Sequence, residues 1–543
     1  MQEVSMWNKA WREQVWSDAA RSEWDLIIIG GGITGAGILR EATRVGLRAM
    51  LIEGGDFACG TSSRSTKMVH GGLRYMKNLQ IRLTYESVRE REHLLQQGRG
   101  LVNPLGFIMP SYRGDRIPGW VFGLGLIIYD ILALKWGHSH YPAGDLLDRF
   151  PPLRERGLLG GYRYLDAQTD DARLVLRVLR EAVRDGATVM HYARVEQVLY
   201  SSNGSVCGVL VRDTSLGEEE RTIEVMAPIV INATGAWADD VRGLIGGRER
   251  LRRLRGSHLV FPLRKLPLPR AVSFLHPMDF RPIVALPWEG VALLGTTDVD
   301  HEGPLPSDPA ISPQEVAYLL EGAQYAFPSL NLGHDDVLST FSGVRAVKNT
   351  GKADPSKESR EHVLWFENGL LTVTGGKLTT FRVMAHDTLR FLRNRLPQHT
   401  ALDRETRMLD HTPREVFLEV KLDPATRLRL CGRYGTDTSR LLAVCGEGEL
   451  DPIPQTPYLW AELRWAAHSE GVMHLDDLLL RRIRLGIVAP QGGIPLLDKI
   501  KPIVQAELGW DESRWDWEAQ RYKQLWQRAY APPGGDIMLE VEA

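Results

Sequence analysis

Residues 25–55, DLIIIGGGITGAGILREATRVGLRAMLIEGG, leave the chain few ways to fold. Leu26–Ile29 is a short apolar run, as a buried strand requires. Gly30, Gly32 and Gly35 follow as GxGxxG: the first permits a tight turn, the second lets backbone approach a pyrophosphate, and the third lets helix pack on strand. The helix is expected to run to about Val45, with Gly46 to stop it and 47–52 as a second buried strand. Glu53 then stands where an acid accepts hydrogen bonds from ribose hydroxyls and repels a 2′-phosphate. A GxGxxG alone is weak, but strand, glycines, helix, strand and acid in this order form a dinucleotide site.

No second motif of this kind recurs, so one dinucleotide is expected. Two later segments read as returns to the same nucleotide. APIVINATGAWADD (227–240) is a buried strand running into Thr234 and Gly235. GLLTVTGGKLTTFRVMAHDTL (369–389) is strand, the pair Gly375 and Gly376, then helix, which brings positive backbone dipoles to an anion. Segments so far apart point to a flavin threaded through a discontinuous domain rather than to a compact nicotinamide domain.

At 543 residues the chain exceeds one core and suggests two or three domains. Its 66 Lys and Arg balance 68 Asp and Glu, which gives no support to a nucleic-acid partner. Cys59, Cys207, Cys431 and Cys445 lack CxxC spacing, and no HExxH or EF-hand pattern occurs, so neither disulfides nor a metal are expected. Residues 1–22 lack the apolar core of a secretory signal. Trp7, Trp11 and Trp16 fall near helical spacing, which predicts an amphipathic helix docked on the body.

The stretch 61–77, TSSRSTKMVHGGLRYMK, holds hydroxyls, Arg64, Lys67, Arg74, Lys77 and His70, and no acid. Together with IGGGITGAG, DDARLVL (170–176), NATGAW, GSHLVF (256–261), LGTTDVD (294–300), SGVRAV (342–347) and GGKLTTFR (375–382), in that order, it resembles the FAD-dependent glycerol-3-phosphate dehydrogenases from about Asp25 onward. The chain departs from the family's usual pattern at Leu39, Arg40, Ala346 and Phe381.

The resemblance implies an α/β fold: a discontinuous Rossmann-like FAD-binding domain, an antiparallel-sheet substrate domain and a mainly helical C-terminal domain. The boundaries read as a leader over 1–22, flavin parts at 23–106, 155–245 and 340–395, substrate parts at 107–154 and 246–339, and helices over 400–543. It also implies oxidation of sn-glycerol 3-phosphate to dihydroxyacetone phosphate, by hydride transfer to flavin and onward to membrane quinone. The FAD contacts are then Gly30, Gly32, Gly35, Glu53, Thr61, Ser62, Ser63, Ser65, Thr66, His70, Gly71, Thr234, Gly235, Gly375, Gly376, Lys377, Leu378 and Thr379. Arg74, Tyr75, Arg345, Arg360 and Lys377 surround the substrate. His258 is expected to take the hydroxyl proton, because neutral imidazole titrates near working pH, and Arg345 to stabilise the developing alkoxide.

Residues 120–136, WVFGLGLIIYDILALKW, form the most apolar run. It is short of the ~20 residues a bilayer span needs, and its ends carry Trp120, Lys135 and Trp136. It reads as a helix lying on a membrane surface or as a core or homodimer interface, in a cytoplasmic protein peripheral to the inner face of the cytoplasmic membrane. Alternatives are an oxidase that uses oxygen, an enzyme of the same fold acting on another hydroxy acid or amine, and a flavin-binding regulator without turnover.

Overall fold

Leu26–Ile29 and Ala49–Ile52 pair in parallel along their whole length, Leu26 opposite Ala49 and Ile29 opposite Ile52. Both strands are covered on both faces, which is why the sequence there is an unbroken apolar run. The computed structural model describes residues 7–72, 81–115, 118–133, 136–215, 221–351, 358, 361–397, 401, 403, 405–411 and 421–534. In it the two strands lie inside a six-stranded sheet ordered Val363–Glu367, Leu370–Thr374, Val230–Asn232, Leu26–Ile29, Ala49–Ile52, Thr188–Met190. All neighbours run parallel except the first hairpin. Strands more than 300 residues apart in sequence thus meet in one Rossmann-like sheet.

The helix Ile33–Arg44 follows the glycine turn and ends before Gly46, whose φ of +90° stops it. A Cβ at Gly35 would stand 1.9 Å from the Gly30 carbonyl oxygen, so helix and strand approach this closely only with glycine.

A second, ten-stranded sheet is almost wholly antiparallel. Its long strands are Val102–Tyr112, Leu158–Thr169, Leu251–Pro262 and Ser339–Lys348. The boundaries read from sequence need correction here: Leu158–Thr169, Ser339–Lys348 and Met68–Val69 pair into this sheet, not into the flavin sheet. A strand's local sequence reports how it is buried, and its pairing partner is settled by tertiary contact. A three-stranded sheet, Ala193–Tyr200, Val206–Asp213 and Thr222–Met226, lies beside the flavin sheet.

The helix Lys9–Ala19 is capped by Asn8, whose side chain accepts the Trp11 N–H at 3.0 Å. Trp7 and Trp16 are buried against the body, and Arg12 pairs with Asp213. After residue 421 the chain is mainly helical, and it is tied to the rest by charges out of reach of water. The Asp56 carboxylate accepts from Arg482 at 2.6 and 2.7 Å and also from Arg481. Arg433 donates to Asp170 at 2.8 Å, and Arg173 to Glu470 at 2.5 and 2.9 Å. Burial would raise the Asp56 pKa, but the two guanidiniums reverse this and hold it at about 2. Asp56→Ala leaves the buried Arg482 without its carboxylate partner, while Arg481 keeps Asp476 and Asp477, and an expected loss of about 3–5 kcal/mol is to be read from denaturant titration.

Candidate active site

The functional groups gather where the two large sheets meet, around a cavity of about 2240 Å³. One wall is the glycine turn. Gly30 has φ +114°, and a Cβ there would lie 2.7 Å from the Ala233 oxygen. Gly32 opens the first turn of the helix Ile33–Arg44, and a Cβ on it would project to 3.1 Å from Ser62 Oγ, so the lack of side chains makes a cradle for a pyrophosphate. Glu53 Oε2 accepts the Gly31 N–H at 2.6 Å and Oε1 the Gly55 N–H at 2.8 Å. Burial raises its pKa, and those two N–H groups oppose the rise. Thr234, Gly235, Gly375, Gly376, Lys377, Leu378 and Thr379 complete this wall. Positive φ at Gly235, Gly375 and Gly376 turns the backbone around the space.

Strand register builds the opposite wall. Leu251–Pro262 pairs with Ser339–Lys348 so that Leu254 faces Arg345, Gly256 faces Gly343 and His258 faces Phe341. Residues two apart share a face, so His258 and Arg345 project from the same side with two glycines between them. The clearing has a reason: a Cβ at Gly256 would collide with the Arg345 guanidinium at 2.0 Å. Arg345 donates to Asp298 Oδ1 at 3.0 Å and to Thr296 Oγ1 at 3.2 Å. His258 lies flat on Phe341, 4.6 Å between centroids and 12° between planes, with Nε2 at 2.9 Å from Thr66 Oγ1. Burial first, then the charges of Lys67 and Arg345, hold the imidazole well below its ordinary range, so it is neutral. A Cβ at Gly295 would overlap this ring, which makes that glycine part of the site.

The loop 61–66 faces the cavity through Thr61, Ser62, Ser65 and Thr66, but not through Ser63, which turns inward. The cations of that loop meet protein acids: Arg64 pairs with Asp308 and Lys67 with Asp171. His70 lines the cavity, its N–H on Thr379 Oγ1 at 3.1 Å. Gly71 does not. It lies against Tyr129 and gives its N–H to Asp166 at 3.0 Å, a close approach that only glycine allows. Gly35 likewise serves helix packing and stands off the cavity. Arg74, Tyr75 and Arg360 lie outside the described residues.

Lys377 donates to Ser87 Oγ at 2.7 Å, and burial lowers its pKa to about 7 against the pull of Asp166 and Glu86. Asp166 is a participant the sequence reading missed: it lines the cavity and takes hydrogen bonds from Arg91, Tyr129 and Gly71. Asp298 was within reach of sequence, since it sits in LGTTDVD. Of the four departures from the family pattern, only Ala346 lines the cavity. Leu39 is core, Phe381 packs on Gly37, and Arg40 pairs with Asp185 and Asp410. Among the described residues no cluster of three or more His, Cys, Asp or Glu could hold a metal, and all four cysteines are free.

Residues 25–382 match the family model for FAD dependent oxidoreductases, and 396–515 match the C-terminal domain of alpha-glycerophosphate oxidase. The aerobic glycerol-3-phosphate dehydrogenase of Staphylococcus haemolyticus is 34% identical over 499 residues, 87% of this chain and 88% of its own length. That of Staphylococcus aureus is 35% identical over 496 residues, with the same coverage. The glycerol-3-phosphate dehydrogenase of Bacillus halodurans, solved with FAD, superposes with a TM-score of 0.80 at 27% identity, over 98% of this chain and all of that one. The chain belongs to the FAD dependent oxidoreductases and, within them, to the aerobic glycerol-3-phosphate dehydrogenase family.

Proposed function

We propose that the protein oxidises sn-glycerol 3-phosphate to dihydroxyacetone phosphate by hydride transfer to FAD, and that the electrons pass on to membrane quinone. The observation that carries this reading is the continuity of one cavity, with a dinucleotide cradle that includes Lys377 on one wall and a neutral imidazole and a guanidinium on the other. Bound FAD supplies the two-electron acceptor that no side chain offers. Gly30, Gly32, Glu53, Thr234 and Gly375–Thr379 hold it. His258, neutral and presenting Nε2 beside Thr66 at the cavity wall, takes the proton of the C2 hydroxyl. Arg345, fixed by Asp298 and Thr296, stabilises the oxygen as its proton leaves. Lys377, with Arg74, Tyr75 and Arg360 from the segments outside the described residues, holds the phosphate. The remote anion thereby orients the reacting carbon.

The helix Gly119–Ala133 suits a membrane surface. Trp120 is 69% exposed, Leu124 53% and Ile131 60%, while Leu126 and Tyr129 on the opposite side are buried. No described helix is long and apolar enough to cross a bilayer. The same helix lines the cavity through Val121, Leu124 and Ile128, which puts the surface next to the site a quinone has to reach.

Anaerobic addition of glycerol 3-phosphate to the FAD-loaded protein is expected to bleach the flavin absorbance, whereas glycerol, lactate and glycine leave it unchanged. Bleaching by glycine instead would reassign the substrate class. A lysine titrating at about 7 is charged below that pH and neutral above it. The phosphate ester stays dianionic above its second pKa of ~6, so kcat/KM should fall as pH rises from 7 to 9, by up to about tenfold per unit. Lys377→Met should lower kcat/KM at pH 6.5 and flatten this decline. For the surface helix, a Trp120→Asp, Ile131→Asp double variant, at exposed residues that do not line the cavity, is expected to stop cosedimentation with anionic vesicles while soluble-acceptor turnover persists.

A further inference from the structure

Lys67 is fully buried behind the cavity wall, and the proposed reaction makes no use of it. Its ammonium donates to both Asp171 oxygens at 2.8 and 2.9 Å and to the Ser63 carbonyl at 2.5 Å. It also lies over the rings of Phe341, at 4.8 Å, and Trp288, at 5.4 Å. Its backbone is left-handed, φ +62°, a conformation that non-glycine residues hold only where the surroundings enforce it. The residue before it, Thr66, contacts His258 Nε2 on one side, and Phe341 carries the face of the same imidazole. Lys67 therefore touches both supports of His258.

The cluster around Lys67 draws on three parts of the chain. Asp171, at the start of the helix Asp171–Arg184, also accepts from the Ser65 N–H at 2.9 Å and its hydroxyl at 2.8 Å. Arg484, from the C-terminal helical part, donates to the Ser63 carbonyl at 2.6 Å and lies 3.5 Å from Asp171. Asp170 stands next to Arg484 and takes Arg433. This explains why TSSRSTK carries a lysine at its end and DDARLVL begins with two acids.

We propose that Lys67, locked between Asp171 and the Phe341–Trp288 rings, is a positioning residue for His258, holding Thr66 and Phe341 so that the imidazole is presented to the cavity. The inference rests on the reading of His258 as the proton acceptor. Position and charge act together. The charged groups facing His258 are Lys67 and Arg345, both cationic, and they oppose its protonation. Burial and Arg484 lower Lys67 to about 7, against Asp171 and Asp170, so the lysine is charged at the acid pH where His258 would protonate. Removing that charge must move the acid limb of kcat, read at saturating substrate so that the ionisation of the free phosphate ester does not enter, to higher pH.

The test uses the FAD-loaded full chain and four variants: Lys67→Met, Thr66→Val, their double, and His258→Asn. Flavin absorbance gives FAD content, and steady-state assays give kcat, KM and the pH profile. Lys67→Met is expected to lower kcat by roughly 30–100-fold, to leave KM and FAD content near wild type, and to shift the acid limb upward. The Thr66→Val effect should not multiply with it, because both act on one contact. His258→Asn should abolish the acid limb. An acid limb that survives His258→Asn overturns the assignment of the proton acceptor. A limb abolished there but unmoved in Lys67→Met, or a multiplicative double variant, overturns the positioning role alone. Should Lys67→Met not accumulate with FAD, Asp171→Asn, which keeps the shape and loosens Lys67 and Ser65, should show the same fall in kcat at steady KM and the same non-multiplicative pairing with Thr66→Val.

Discussion

The pairing of Leu251–Pro262 with Ser339–Lys348 is the constraint on which the site depends. Ten successive residue pairs, from Leu251 opposite Lys348 to Val260 opposite Ser339, fix the register. A slip of one residue between the two strands would turn the side chains of one of them to the other face of the sheet and so part His258 from Arg345. Two glycines opposite each other clear the surface between them, and Phe341 supports the imidazole from the neighbouring strand. The reacting groups thus sit on the most rigid kind of element, whereas the dinucleotide cradle is made of turns that need positive φ.

Behind that face the structure places many charges out of reach of water. Isolated buried ions are costly, and here the acids are bracketed by more than one cation: Asp56 by Arg481 and Arg482, Asp171 by Lys67 and Arg484. Each bracket joins the C-terminal helical part to a loop that borders the cavity. Such networks add less to stability than an equal volume of apolar packing, but their geometry is directional. They hold residues 56–67 in one arrangement relative to both sheets. The C-terminal part therefore belongs to the architecture of the site, although few of its residues approach the cavity.

The divergence of this chain from the usual family pattern falls mostly outside the reacting groups. Arg40 is a buried guanidinium that finds Asp185, Asp410 and the Glu181 carbonyl, so its charge is compensated where it occurs. Phe381 packs against the helix that opens the dinucleotide site, at Gly37, which leaves it room. Only Ala346 alters the lining itself.

Local sequence determined the parts whose physics is local. The apolar run, the GxGxxG turn, the helix stop at Gly46 and the acid at Glu53 are neighbours in the chain, and each follows from backbone freedom or burial over a few residues. The motifs GSHLVF and SGVRAV were also legible, down to His258 and Arg345. Tertiary structure decided what those motifs do to one another. Their facing glycines become a clearing only when two strands some 80 residues apart align. Ser63 and Gly71, which the resemblance implies as cofactor contacts, stand off the cavity, where Lys67 takes the Ser63 carbonyl and Asp166 the Gly71 N–H. Which sheet Leu158–Thr169 joins was equally beyond local reading. A strand shows in its own residues how deeply it is buried, but its partner is chosen by the long-range hydrogen bonds and packing that form only in the folded chain.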